Sequence, residues 1–268
     1  MVKRLEHLFK NFKVKRQGGI KMLMLLPIFV PNDLGLVRQV DSIRTLNEYL
    51  ERYPIKDVKR IYCGWCKKEE YWTAIRNIIP DVIRLEENMG KSYIINKLVE
   101  EYGRGEKFFF TCDSDICFEL EQEDIFRRLQ TLAESLVEKK FGLISLNQHG
   151  HNCQFLTYQT HEDNVTGEHI SWGHDGRGLA GGALFLSTKA FEEVGKYREL
   201  GPYGSDDGFL MIDMKAKGFF ACCARNIYVF HPAGELKVGY AELKSDLLWH
   251  LKVPEEVKQK LTEFWSKE

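Results

Sequence analysis

The 268-residue sequence has no apolar run approaching the roughly 20 residues that a membrane-spanning helix needs, so no integral membrane segment is expected. It has no charge excess either. Its 38 basic residues stand against 39 acidic ones, and a net charge of −1 names no polyanionic partner. Internal repeats and low-complexity tracts are absent, which excludes a solenoid and a long flexible linker. The first residues carry Lys and Arg without the apolar core of a signal peptide, so the chain reads as soluble and cytoplasmic. Seven cysteines, an odd number with Cys222 and Cys223 adjacent, do not make a disulfide framework and suit a reducing compartment as buried thiols.

The stretch Lys107 to Phe118 stands out against this background. An aromatic run reads as a strand buried on both faces, and it stops on two carboxylates, Asp113 and Asp115. Side chains just beyond such strands point into the ligand crevice of an open α/β sheet. Two acids one residue apart can there approach one hard divalent cation and the diphosphate it bridges. The competing reading is an acidic turn in which Asp113 caps a helix.

Alternation of strand and helix surrounds this stretch. Met22 to Val30 is a continuous apolar run, broken by Pro31-Asn32-Asp33, and Leu36 to Leu50 marks one face of a helix. A strand at Val58 to Cys63, a helix around Trp72 to Ile78, a strand at Asp81 to Leu85 and a helix from Tyr93 to Tyr102 follow. The first 115 residues thus predict a parallel α/β unit of the nucleotide-binding type. Beyond it the pattern predicts a helix over Asp124 to Lys139 and strands at Phe141 to Leu146 and Gln154 to Gln159. From His161 to Leu179 the periodicity vanishes, as in a lid or binding loop. The chain resumes with a strand at Gly181 to Leu186, a helix containing Phe191 and Val194, and a helix opening at Asp206-Asp207 that Gly218 stops. Phe219 to Phe230 is the last strand, before His231-Pro232 and two C-terminal helices. At the other end, residues 1–21 form a basic amphipathic helix with Leu5, Leu8, Phe9 and Phe12 on one face. Such a helix either packs its apolar stripe on the domain or draws the chain to DNA or an anionic membrane surface.

Two local patterns carry less than they suggest. Cys63-Gly-Trp-Cys66, placed between a strand and a helix, has redox-pair spacing, but the chain is far longer than a thioredoxin and its acids would be left without a role. Gly90-Lys91-Ser92 matches the end of a P-loop, yet no glycine stands five residues earlier.

Order gives the decisive pattern: Asn88-Met-Gly90 with Asn96 beyond it, then Asp113-Ser-Asp115, then Gly181-Gly182, then Ser205-Asp206-Asp207, then His231. Over roughly residues 22 to 232 this resembles the GT-A fold glycosyltransferases, especially the family 2-like group of the nucleotide-diphospho-sugar transferases. The resemblance implies an α/β fold with a Rossmann-like, mixed, mostly parallel sheet flanked by helices. Residues 22–235 would be the catalytic domain, with a nucleotide-binding half at 22–118 and an acceptor and sugar half at 119–235; residues 236–268 would be C-terminal helices.

It also implies roles. Asp113, Asp115 and His231 would hold Mn²⁺ or Mg²⁺, and Asp207, with Asp206 beside it, would act as catalytic base. Pro27, Asn32, Trp65, Asn88, Gly90, Lys91, Asn96, Ser114, Gly181 and Gly182 would bind the donor, a nucleotide-diphosphate sugar of which a UDP-sugar is the first expectation. Trp172, His174 and Asp175 would meet the acceptor from a lid. For His231 a histidine closing a strand, and for Asp207 an acid at a helix N-terminus, are the plain alternatives. The sequence departs from the family where its second strand ends on Cys63 to Cys66 instead of an acid, and it lacks the Gln-x-x-Arg-Trp motif of processive synthases. Transfer of a single sugar with inversion is the expected activity, with a retaining enzyme of the same fold as the alternative. A nucleotidyltransferase lacks its glycine-rich loop here, and a sugar- or DNA-binding module gives the retained acids no task. The acceptor, whether a protein, a glycan, a lipid-linked sugar, a small metabolite or hydroxymethylated DNA, is open at this point.

Overall fold

In the computed structural model of the protein, residues 22–149, 160–171, 179–201 and 206–232 are described. The expected N-terminal helix, the strand at Gln154 to Gln159, the lid residues Trp172, His174 and Asp175, and the C-terminal helices lie outside them, as does the side chain of Asp206.

The first half repeats one unit. Strand β1 (Met22–Val30) is buried along nearly its whole length, as a central parallel strand must be. Asn32 then caps helix α1 (Asp33–Arg52), its side-chain oxygen accepting from the Gly35 N–H at 2.8 Å, and α1 buries Ile43, Leu46 and Tyr49 against the sheet. Strand β2 (Val58–Cys66), helix α2 (Glu69–Ile78), strand β3 (Ile83–Arg84), helix α3 (Gly90–Tyr102) and strand β4 (Phe108–Cys112) follow. These strands lie in the order β3-β2-β1-β4, all parallel. The order reverses between β1 and β4, which is where an open α/β sheet parts to admit a ligand. Pairing of β1 with β4 ends at Leu25 and Thr111, and Pro27, which has no N–H to give a ladder, lies just past that point.

The second half is built differently. It comprises helix α4 (Ile125–Ser135), a 3₁₀ turn (Val137–Lys139), strands β5 (Phe141–His149), β6 (Thr160–Glu162), β7 (His169–Ser171) and β8 (Ala183–Ser187), helices α5 (Thr188–Glu193) and α6 (Asp206–Ala216), and strand β9 (Phe220–Phe230). One nine-stranded sheet runs β3-β2-β1-β4-β8-β5-β9-β7-β6. Strand β8 is antiparallel to both β4 and β5, so β5, and β9 parallel to it, run with β4. The carboxyl ends of β4, β5 and β9 therefore share one edge with the start of β8. Helices cover both faces: Met24, Tyr49, Phe110 and Phe126 belong to one apolar layer, and Leu25, Leu98, Phe109, Phe191 and Met214 to the other. Among the described residues, no helix is long and apolar enough to cross a membrane.

Four sequence readings change. The Cys63–Cys66 segment is not a loop but the end of β2, in register with Pro27 to Val30. Its two thiols are buried in opposite layers, and burial pushes Cys66 up to about 12 and Cys63 further. A redox pair needs the reverse of both conditions. The strand expected at Asp81 to Leu85 pairs only at Ile83 and Arg84. The helix expected to reach Lys139 stops at Ser135, because Lys140 takes a left-handed φ of 55° and the last turn tightens to 3₁₀. The stretch read as structureless from His161 contains an antiparallel hairpin, β6 with β7, docked on β9. Its turn is fixed by side chains: Asp163 accepts from the Thr166 N–H at 2.9 Å, and Arg128 of α4 grips Glu168 through two bonds of 2.7 Å.

Candidate active site

The turn after β4 is fastened at both ends. The Asp113 N–H donates to the Gly182 carbonyl at 2.6 Å, and Cys117 exchanges backbone bonds of 2.9 and 3.0 Å with Phe230 at the end of β9. Asp113 does not cap a helix. The next one begins only at Ile125, and Ile116 N–H turns back to the Asp113 carbonyl instead. Both carboxylates are thus delivered to the edge where β4, β8, β5 and β9 meet, and there they separate.

Asp113 meets Lys91, whose ammonium lies 2.7 Å from its Oδ1. The same ammonium donates to the Gly181 carbonyl at 2.9 Å and to Asp207 Oδ1 at 3.2 Å. Burial alone would drive the Lys91 ammonium down, but the charges of Asp113 and Asp207 win and hold it well above the usual lysine range. Asp207, on the first turn of α6, also accepts from the Tyr197 hydroxyl at 3.4 Å through Oδ1. Its other oxygen presses on Gly181, where an added Cβ would stand 1.7 Å away, so no other residue fits there. Gly182 is less confined: an added Cβ would stand 2.8 Å from the end of Gln148, whose side-chain oxygen accepts from the N–H groups of Gly182 and Ala183 at 2.9 and 3.1 Å.

Asp115 turns the other way. His231 Nε2 lies 3.2 Å from its Oδ1, and Arg38 Nη1 lies 3.4 Å from its Oδ2 while donating to the Pro232 carbonyl at 2.8 Å. Burial opposes ionisation of Asp115, but the His231 hydrogen bond and charge, with Arg38, hold its carboxyl below the usual carboxylate range. For His231, burial favours the neutral ring, and the bond to Asp115 and the charges of Asp115 and Asp113 overcome it, raising the imidazole above its ordinary value.

The remaining expected residues take distinct places. Asn88 accepts from the Gly90 N–H at 3.1 Å and shapes the entry to α3, where Gly90 needs a φ of 79° that suits glycine. Asn96 is buried, and its amide is taken up by Tyr197 O at 2.9 Å, Tyr197 N at 3.0 Å and Glu199 at 3.0 Å, so it positions the backbone at Tyr197. Asn32 caps α1 from an exposed position, and Trp65 stacks on Phe29 with ring centres 6.0 Å apart. Pro27 shares a small cavity with Gln39, Cys112 and Asp113. Ser114 is half-buried between the two acids.

Sequence reasoning missed Arg38 and Tyr197. Arg38 stands in the second turn of α1, where the macrodipole no longer weighs on a cation, so nothing local marked it as paired. Nothing in the sequence marked Tyr197. Two carboxylates and an imidazole are a donor set suited to Mn²⁺ or Mg²⁺. Among the described residues, however, no three His, Cys, Asp or Glu side chains converge on one point, because Lys91 and Arg38 draw Asp113 and Asp115 apart.

No family model matches the sequence, and no curated protein matches it either. Solved structures do match. The structure of S. aureus TarS residues 1–349 in complex with UDP-GlcNAc is 13% identical at a TM-score of 0.53, covering 90% of this chain and 69% of that one. GalNAc-T7 with UDP, GalNAc and Mn²⁺ is 12% identical at a TM-score of 0.57, covering 80% of this chain and 44% of that one. Both are GT-A folds, and the fold expected from the order of motifs is the fold of this chain.

Proposed function

We propose that this GT-A chain is a glycosyltransferase that moves one sugar from a UDP-sugar to an acceptor hydroxyl with inversion at the anomeric carbon. The observation that carries the reading is that two clusters, Asp113 and Asp207 on Lys91, and Asp115 on His231 and Arg38, stand at one edge of the sheet, where β4 and β9 end. The similarity to TarS bound to UDP-GlcNAc, and to GalNAc-T7 bound to UDP, GalNAc and Mn²⁺, supports the choice of donor.

Within this reading the donor enters at the β1–β4 parting, past Pro27, and its diphosphate comes to rest beside Asp113 and Asp115. Lys91 brings a fixed positive charge to that spot. Asp115 and His231, joined by Asp113, are the residues that would hold Mn²⁺ or Mg²⁺, and the bound cation would supply charge compensation for the departing diphosphate. Asp207 acts as general base. Lys91 and Tyr197 occupy its Oδ1 and fix the carboxylate in place, which leaves Oδ2 to take the proton of the attacking hydroxyl. Gly181 makes room for that oxygen, because a side chain there would occupy the place of the Asp207 carboxylate.

The test is calorimetric titration of UDP, with and without Mn²⁺, into the wild type and Asp115→Asn. Mn²⁺-dependent affinity should be present in the first and lost in the second; equal metal-dependent binding by both proteins would refute the assignment. Cleavage of UDP-GlcNAc and other UDP-sugars, with the anomeric configuration of the product read by NMR, tests the activity and the inversion together.

A further inference from the structure

Strands β5 and β9 end side by side on the same edge as the acids, with Asn147 opposite Tyr228 and His149 opposite Phe230. Directly opposite residues of paired strands project to the same face, so His149, Tyr228 and Phe230 gather there. The His149 ring stands steeply to both neighbours, at 73° to Tyr228 with centres 5.1 Å apart and at 60° to Phe230 with centres 5.7 Å apart. The three rings therefore make a corner with a floor and a wall. Its polar edge is the contact between His149 Nε2 and the Glu119 carboxylate. The corner is open to solvent: Phe230 is 36% exposed, and the side chains of His149 and Glu119 are 46% and 29% exposed.

Phe230 alone would need no explanation, since six other large hydrophobic residues are also exposed among the described ones; what sets it apart is that the His149 and Tyr228 rings continue its surface. The corner is continuous with the candidate site. The His231 N–H donates to the His149 carbonyl at 2.9 Å, and Cys117, two residues past Asp115, is bridged to Phe230. Aromatic walls with a few fixed polar groups are what a saccharide ring requires, since its axial C–H faces are apolar and its rim carries hydroxyls.

We propose that His149, Tyr228, Phe230 and Glu119 form an acceptor subsite that takes a pyranose ring, and hence that the acceptor is a glycan. This rests on the reading of the chain as a glycosyltransferase. A ring stacked in the corner places the rest of its glycan along the edge toward Asp207, while Glu119 and His149 bond its hydroxyls.

The experiment uses the full chain, saturated with UDP and Mn²⁺, and titrates chitobiose and cellobiose by saturation-transfer NMR against the wild type, Phe230→Ala and Phe230→Trp. At least one disaccharide should bind, with affinity falling roughly fivefold or more in Phe230→Ala, as expected for loss of one aromatic contact, and returning in Phe230→Trp. The return in Phe230→Trp separates stacking from misfolding. No saccharide binding by the wild type, or equal binding by Phe230→Ala, would overturn the subsite. Calorimetry of UDP on the same wild-type sample tells the two failures apart: UDP binding without a Phe230-dependent saccharide removes the subsite alone, and absence of UDP binding removes the underlying function with it.

Discussion

From β3 to β4 every strand pairs parallel with its neighbour and a helix separates each from the next, whereas β8 enters the sheet antiparallel to both strands beside it. The two constructions bring different chemistry to the same edge. A parallel strand reaches that edge with its carboxyl end, so the residues following β4 extend side chains beyond it, and two of them are Asp113 and Asp115. Strand β8 begins at the edge, and what it offers is backbone: the Gly181 carbonyl to Lys91 and the Gly182 carbonyl to Asp113. The regular half thus supplies Lys91 and the acid pair after β4, while the irregular half supplies the Gly181 and Gly182 backbone together with Asp207 and His231. The β4–β8 ladder joins the halves, and side chains reinforce the join near the acids: Lys91 to Asp207, Asn96 to Tyr197 and Arg38 to the Pro232 carbonyl. These side-chain bonds can be cut singly.

The largest effect belongs to the irregular half. Asp207→Asn keeps an acceptor for Lys91 and Tyr197 but cannot take a proton, so turnover should fall about 10²- to 10⁴-fold while UDP affinity changes little. Turnover close to that of the wild type would remove Asp207 from the chemistry and leave it a partner of Lys91. Cutting the join itself comes next. Lys91→Met removes the one cation shared by Asp113 and Asp207, whose side chains are 35% and 30% exposed, so solvent screens part of the loss. Urea denaturation should show destabilisation of about 2 kcal/mol, short of the full cost of breaking a buried pair. Adding Asp113→Asn should return part of it. A double variant no more stable than the single would mean that Lys91 acts by packing and not by charge.

Asn96 joins the halves without charge. Both ends of its buried amide are used, so Asn96→Ala leaves the Tyr197 N–H and carbonyl without it and should cost about 1–2 kcal/mol in urea denaturation. Turnover should fall as well if the Tyr197 hydroxyl depends on this support, and unchanged turnover would separate Tyr197 from Asp207.

The sequence showed the regular half more clearly than the irregular one, for physical reasons. Short apolar runs bounded by turn residues, such as Met22 to Val30 and the aromatic-rich Phe108 to Cys112, read as strands buried on both faces, and acids directly after one lie at its carboxyl end. An apolar run does not encode its direction. Ala183 to Ser187 was legible as a strand, but its antiparallel course comes from its partners β4 and β5. Cys63 to Cys66 was misplaced because glycine and tryptophan within it broke the apolar pattern, although their backbone pairs with β1 to the end. Arg38 lay hidden for a related reason: its partners, Asp115 and Pro232, are distant in sequence.

The β6–β7 hairpin is where the halves differ most, and it gives the smallest prediction. Thr160, His161 and Glu162 are all exposed, so no alternation marked the strand, and each strand is too short for its ladder alone to hold it. The turn supplies what the ladder lacks. Asp163 Oδ2 accepts from the Thr166 N–H at 2.9 Å, the Thr166 hydroxyl at 2.8 Å and the Ser135 hydroxyl at 3.1 Å, tying the hairpin to α4. Burial works against ionisation there, yet these donors prevail and hold the Asp163 carboxyl below its ordinary value. A carboxyl depressed in the folded state contributes stability that is present above its unfolded pKa, about 3.9, and lost as pH falls through the folded value. Asp163→Asn retains an acceptor and loses the charge, so it should cost about 1 kcal/mol at pH 7, the difference between a charged and a neutral acceptor. The gap between the two proteins in urea should narrow as the pH is lowered below about 4, where the unfolded wild type takes up a proton that the folded form resists. A gap that stays constant down to pH 3 would show that the shape of the Asp163 side chain, and not its charge, holds the irregular half together at this turn.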